Sequence, residues 1–392
     1  MSVTLAVAPG RKADKIPQER LDELTRQMAV TAEAYDRSAT FPQANFDILA
    51  KEGLVGLTVS PEYGGAGAGF AESLRVLRAV AKGEPSTALI LFMTYGYHAN
   101  PARGQSWPAH IYQRLAREAV AGKGLIGGLR VEPELGTPVR GGLPKTVARR
   151  TETGWAISGS KIYSTGSTGL NWFSVWAKTD EPEPRVGNFL VDAGSPGITI
   201  EPAWDHLGMR ATVSHEVVFE ETPTPFDHAV DIRLPADWAP KPGENSQALW
   251  NGLAISTIYD AIANAARDWL RDYLKARVPT NLGAPLATLP RFQEKFGEID
   301  ALLQVNRTLI DTAAQSADAG AGPSSVEANN IKHVVTGNAI KAVEIGLELT
   351  GNPGISRKNP LERHYRDVLC SRIHSPQGDT ILVAAGRAAF GL

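Results

Sequence analysis

Apolar residues recur at helical spacing through the first third of the chain. They give way to short alternating runs in the middle, and the helical spacing returns towards the end. Leu21, Leu24, Met28, Thr31 and Tyr35 step by three and four, which lays one stripe along a helix and predicts that this face packs on a core. Phe46, Leu49, Leu54 and Leu57 continue the face up to a break at Ser60-Pro61-Glu62-Tyr63-Gly64-Gly65, and residues 71–98 read as one strongly apolar helical stretch. From Leu125 to Phe226 the period shortens. Trp155 to Gly159, Trp172 to Lys178, Asn188 to Asp192 and His215 to Phe219 read as strands, with Glu152-Thr153-Gly154 as a turn. Pro235 to Glu244, rich in proline and polar residues, reads as a linker. Long helices are predicted at about 246–277, 289–317 and 325–350, with a shorter one beyond Pro376. Ser324 and Glu327 have capping-box spacing, and Gly351 supplies the stop for the third long helix. The pattern predicts three domains: α-helical over 1–122, β over 123–235, and a helical bundle over 236–392.

Composition narrows the class. At 392 residues, 43% hydrophobic and 21% charged, the chain can bury a substantial core. A net charge of −2 gives no electrostatic case for nucleic acid or an anionic membrane as partner. Cys370 is the only cysteine, so an intrachain disulfide is impossible and a reducing cytoplasm fits. No apolar run reaches the ~18 residues of a membrane span, and Met1 to Ala13 lacks the features of a secretory signal. The glycines at 65, 67 and 69 have no preceding strand and no acid about twenty residues later, so they do not form a dinucleotide fingerprint.

Several segments carry a resemblance. They are Phe41-Pro42 with Phe46 to Leu57; Glu132-Pro133 with Gly136-Thr137; Gly159-Ser160-Lys161-Ile162-Tyr163-Ser164-Thr165-Gly166; Leu207-Gly208-Met209-Arg210; and Glu362 to Asp367. In this order they resemble the acyl-CoA dehydrogenase superfamily across residues 41 to 390. The resemblance implies an α+β fold: an N-terminal helical domain, a middle β-barrel or sandwich domain, and a C-terminal four-helix bundle. A flavin would lie between the β domain and the bundle. Tyr163 would stack near its ring, with Ser164 and Thr165 beside the ring's polar edge. Glu132 and Thr137 fall in the loop that brings backbone and hydroxyl groups to the flavin, with Val131 where relatives usually carry threonine.

Arg277, followed by Asn281 to Leu286, is similar to an arginine–phenylalanine–glycine connection that meets the flavin diphosphate of a neighbouring subunit, with Leu282 replacing phenylalanine. Glu348, Gly351 and Gly354 lie in a segment similar to a Gln-x-x-Gly-Gly-x-Gly turn that binds the adenylate portion across an interface. Here Glu348 replaces the glutamine and Asn352 a glycine. Because the departures fall on the phosphate side, FAD and FMN both remain open. A homodimer or homotetramer is implied.

The departure that bears on chemistry is at Ser375, where the family carries its catalytic glutamate. Dehydrogenation alpha to a thioester needs a carboxylate to take the proton while the flavin takes the hydride. A serine hydroxyl is no such base without a partner, and the alternative base position of some relatives, near Trp250-Asn251, holds no carboxylate. His374, with Arg366 before it and Pro376 two residues after, is similar to the histidine of a flavin-dependent monooxygenase branch that includes sulfur-compound oxygenases. Such an imidazole can donate a hydrogen bond to an oxygen adduct of the reduced flavin. His98, after Tyr95 and Tyr97, is a second candidate to line the same cavity, while His206, His215, His333 and His364 show no metal-ligand spacing. The leading expectation is a two-component flavin monooxygenase fed by a separate flavin reductase, acting on a small, fairly apolar organosulfur or amine compound. The alternatives are an acyl-CoA dehydrogenase with an unrecognised base and a non-catalytic flavin- or acyl-CoA-binding paralogue.

Overall fold

The computed structural model describes residues 15–99, 107–135, 142–238 and 246–392. Helix α1 (Gln18–Ser38) buries Leu21, Leu24, Met28 and Ala32, the stripe expected from its periodicity. Helix α2 (Gln43–Lys51) follows. The apolar stretch at 71–98 is two helices, α3 (Phe70–Gly83) and α4 (Pro85–His98), where periodicity predicted one. Pro85 has no N–H to continue the first helix, and Glu84 turns extended at φ −144 and ψ 103. The Glu84 carboxylate then caps the second helix, accepting from Ser86 N at 3.1 Å and Thr87 N at 2.6 Å. Helix α5 (Ala109–Val120) packs Ile111, Tyr112 and Leu115 into a satellite core with Trp107 and Trp172.

The middle of the chain forms one mixed sheet of β1 (Ile126–Leu129), β2 (Val147–Arg150), β3 (Gly154–Ser164), β4 (Trp172–Thr179), β5 (Val186–Asp192), β6 (Ile198–Glu201), β7 (His215–Pro225) and β8 (Ala229–Arg233). Its order is β6-β7-β3-β2-β4-β5-β8, and β1 pairs parallel with the Trp172–Val175 part of β4, while β2 meets Lys178 and Thr179 of the same strand. The predicted Glu152–Gly154 turn is closed by Thr151 N donating to Gly154 O at 2.9 Å. Two irregularities shape the sheet near the site. The β3–β7 register shifts between Lys161 and Ser164, where Tyr163 takes φ +57. The β5–β8 register shifts between Val186 and Asn188.

The bundle comprises α6 (Ser246–Ala276), α7 (Pro290–Asp318), α8 (Ser325–Thr350), α9 (Leu361–Leu369) and α10 (Gly378–Phe390). Both halves of the Ser324–Glu327 capping box are formed, and Gly351 ends α8 at φ +59. Inside the bundle Asn306 Nδ2 donates to Asp260 Oδ1 at 3.0 Å, pinning α7 against α6. Helix α9 ties the three parts of the chain together. Arg366 grips both oxygens of Asp36 on α1 at 2.8 and 2.7 Å, and Asp367 accepts from Met209 N, between β6 and β7, at 2.6 Å. No helix among the described residues is long and apolar enough to cross a membrane.

Candidate active site

A cavity of ≈ 170 Å³ opens where helical and sheet elements meet. Helix α4 supplies Phe92, Met93, Gly96 and Tyr97, and Trp107 closes one side. The β domain supplies Gly128, Arg130, Asn188 and Asp231, and the first turns of α6 supply Gln247 and Asn251. Asn251 belongs to the Trp250-Asn251 pair that the resemblance matches to one of the family's two base positions. It faces this cavity with an amide, which takes no proton from carbon. The carboxylate that does reach the cavity, Asp231, was not anticipated from the sequence, and it enters from β8. His98 is not among the lining residues. Its ring packs against Tyr112, with centroids 5.9 Å apart, so the α4 geometry turns it towards the satellite core.

His374 follows α9 and is half-buried. Its Nε2 lies 2.6 Å from the hydroxyl of Tyr259, a fully buried residue of α6. We assign the phenol as donor to Nε2, which places the ring proton on Nδ1. Desolvation, reinforced by the nearby charge of Lys332, pushes the His374 pKa down to about 3, and burial raises that of Tyr259. The pair therefore stays neutral: a phenol that keeps its proton and an imidazole with one N–H. Asn251 and Tyr259 share α6 eight residues apart, which separates them by about 12 Å along its axis.

Lys332 sits 97% inside the protein on α8. Its ammonium donates to the carbonyls of His374 and Pro376, each at 2.6 Å. Burial drops its pKa to about 8. No carboxylate among the described residues pairs with it, so its role is to clamp the turn that carries His374. The sequence did hold a signal, because Lys332 interrupts the stripe Ala328, Val335, Ala339 at core spacing. Tyr259 gave none beyond an aromatic on an apolar helix. Ser375 is exposed, and no bond to its hydroxyl is formed among the described residues.

The residues expected at a flavin divide into two groups. Tyr163 is 55% exposed, holds a left-handed φ unusual for an aromatic, and stands edge-on to Trp204 and His206 at 6.3 and 6.0 Å. Strain of this kind persists where the surroundings enforce it, often at a ligand site. Thr165 is half-buried and accepts from Ser214 Oγ at 3.2 Å. Arg277 follows α6 directly, is exposed, and forms no ion pair among the described residues. Gly351 and Gly354 form the turn after α8, where a Cβ on Gly354 would strike Thr350 Oγ1. These positions fit a planar, phosphate-bearing group: an exposed ring, a hydroxyl beside it, and an unpaired guanidinium with a glycine turn for phosphate oxygens.

Other expected contacts are committed elsewhere. Glu132 takes bonds from Thr146 N, Thr146 Oγ1 and Lys161 Nζ on Oε1 and from Lys145 N on Oε2, at 2.6–3.0 Å, so its carboxylate braces a loop. Burial raises the Glu132 pKa, but these bonds outweigh it and hold the carboxyl below its usual range. Ser164 is fully buried and donates to Lys161 O at 3.3 Å, turning away from the Tyr163 side of the strand. Glu348 pairs with Arg291 at 3.3 Å, and Arg210 donates to the carbonyls of Asp36 and His206. Thr137 lies outside the described residues. Among those residues no group of acidic, histidine and cysteine side chains could hold a metal ion.

Comparison with known proteins agrees with this frame. Family models for the acyl-CoA dehydrogenase N-terminal, middle and C-terminal domains match residues 15–102, 131–222 and 253–378. YdbM of Bacillus subtilis, whose name places it among the acyl-CoA dehydrogenases, is 30% identical over 376 residues, covering 95% of this chain and 96% of its own. L-evernosamine nitrososynthase of a Micromonospora species is 28% identical over 415 residues, covering 97% and 91%. The solved structure of KijD3 with FMN and dTDP-3-amino-2,3,6-trideoxy-4-keto-3-methyl-D-glucose is 26% identical, with a TM-score of 0.79 over 95% of this chain and 92% of that one. The chain belongs to the acyl-CoA dehydrogenase family and has its α+β fold of helical, β and helical-bundle domains.

Proposed function

We propose that the protein is a flavin-dependent monooxygenase that, with FMN or FAD bound, oxygenates a small molecule in place of dehydrogenating an acyl-CoA thioester. One observation supports this reading: the segments that the resemblance matches to the family's two base positions hold Trp250-Asn251 and Ser375, and Asn251 faces the cavity with an amide. Neither an amide nor an unassisted hydroxyl removes a proton from carbon. Two relatives support the choice, since KijD3 holds FMN with an amino sugar and another is named a nitrososynthase.

Reduced flavin supplies the two electrons with which dioxygen gives one atom to the substrate and the other to water. The chain contributes placement and a fixed proton. Tyr163 and Thr165 seat the ring, and Arg277 of one subunit meets the phosphate of a flavin held by another. His374 offers Nδ1–H because Tyr259 occupies Nε2. A neutral imidazole N–H holds its proton far more tightly than an imidazolium does, so it steadies negative charge on oxygen through a hydrogen bond and keeps its proton. Lys332 holds the His374 turn against α8. A reductase that delivers reduced flavin is the protein partner, and the enzyme works in the cytoplasm as a homodimer or homotetramer.

The alternative, acyl-CoA dehydrogenation, would require Asp231 as the base, the one carboxylate lining the cavity among the described residues. The test is anaerobic addition of butyryl-CoA to the flavin-loaded protein, with retention of flavin absorbance as the expected result. Bleaching would contradict the reading, and loss of that bleaching in Asp231→Asn would identify the base.

A further inference from the structure

We propose that Asp231 recognises an amine in this cavity, so that the compound oxygenated is a small primary or secondary amine. The proposal rests on the cavity being the substrate site. It narrows the organosulfur-or-amine choice to one class.

The backbone first shows that Asp231 is aimed. Val186 pairs with Arg233 and Asn188 with Val230, so two steps along β5 match three along β8. The extra residue makes a bulge, a device that turns one side chain out of a strand's alternation and is frequent beside active sites. At the bulge Asp231 takes φ +54, in the left-handed region that side chains seldom adopt. Gly187 accommodates it, because a Cβ there would stand 2.7 Å from the Asp231 carbonyl oxygen. The sheet thus gives up regularity at the residue that enters the cavity.

The carboxylate is half used. Trp107 Nε1 donates to Oδ2 at 2.9 Å, a contact spanning 124 positions in sequence that fixes the group's orientation. Oδ1 has no hydrogen bond among the described residues, and its nearest cation, Arg233 Nη2, stands at 3.9 Å. The Asp231 side chain is only 16% exposed and lines the open cavity. Asn188, on the neighbouring strand, and Asn251, across the cavity on α6, add amide groups to the same lining. Arg130 shares that lining with its guanidinium over Trp176, 4.5 Å from the ring centroid.

A protonated or neutral N–H donor satisfies Oδ1 with a charge-assisted bond. A thiophene ring or an acyl tail would leave Asp231 Oδ1 without a hydrogen-bond donor, and a site built to hydrogen-bond a ligand rejects one that cannot answer.

Calorimetry on the flavin-loaded protein, without reductant, tests the assignment apart from any oxygen chemistry. The probes are two pairs matched in shape: 3-amino-3-deoxy-D-glucose with D-glucose, and cyclohexylamine with cyclohexanol. The wild type is expected to favour each amine by about tenfold. Asp231→Asn is expected to bring each pair to near parity while leaving flavin affinity unchanged. Asparagine keeps an oxygen for Trp107 and tolerates the left-handed φ, so the variant removes charge and little else. An amine preference absent from the wild type, no amine binding at all, or a preference kept by the variant overturns the proposal. Amine binding of the expected kind, combined with bleaching by butyryl-CoA, would instead remove the oxygenase reading and leave the amine site standing.

Discussion

The hydroxyl of Tyr259 lies 2.6 Å from Nε2 of His374, a bond that joins the first bundle helix to the segment after α9 and, with the phenol as donor, places the imidazole proton on Nδ1. Tyr259→Phe removes that donor and leaves the ring free to carry its proton on either nitrogen. We expect oxygenation to slow by about tenfold or more, and stability to fall by ~1 kcal/mol. Flavin affinity should stay unchanged. Product formation at saturating flavin and urea unfolding measure these effects; an unaltered rate would detach Tyr259 from the chemistry.

Lys332 acts on the same turn through its backbone. In Lys332→Met, two charge-assisted bonds to the carbonyls of His374 and Pro376 are lost, at a cost of ~2 kcal/mol in stability. The lysine charge also helps to depress the His374 pKa to about 3, so the variant's imidazole should titrate at a higher pH. Titration followed by NMR reads this directly. An unmoved His374 pKa would mean that desolvation alone sets it.

Asp367 gives a pH dependence of defined sign. Burial raises its folded-state pKa to about 7 from an ordinary 3.8, although the Met209 N–H bond opposes the shift. Between those values the folded state holds the proton and the unfolded state has lost it, so the contribution is complete below about pH 4 and is lost as pH rises through 7. Asp367→Asn lacks this titration. Its stability relative to wild type should therefore improve between pH 5 and pH 8, as read from thermal melts of both proteins, and a constant difference would refute the assignment.

Arg277 tests whether the flavin phosphates lie at the end of α6. Arg277→Met should weaken flavin binding by about tenfold, the worth of one charge-assisted contact, and leave turnover at saturating flavin nearly intact. Fluorescence titration with FMN and with FAD gives both affinities; no change in either would move the phosphate site elsewhere.

Much of this architecture could be read from the chain, and the reasons differ from element to element. The long helices α6, α7 and α8 announce themselves because periodic apolar stripes and a capping box are local signals. The split at Glu84-Pro85 was hidden by continuous hydrophobicity on both sides, although the proline marks it in retrospect. The motif around Glu132 points to a ligand loop, and the four internal donors to its carboxylate come from residues up to 29 positions away, which the motif does not display. Asp231 was invisible for another reason. What makes it matter is a bulge between β5 and β8, and a register shift depends on pairing between distant segments. Tyr259 and Lys332 likewise acquire meaning only when α6 and α8 are folded against the turn at His374.

The proposed role of His374, steadying oxygen chemistry at a flavin, is read by mixing flavin-reduced protein with oxygenated buffer in a stopped-flow instrument and following oxygen consumption and oxidised-flavin absorbance together. The wild type should consume oxygen well before the oxidised-flavin absorbance returns, and His374→Ala should close that gap. Simultaneous signals in the wild type, or an equal delay in both proteins, would contradict the account.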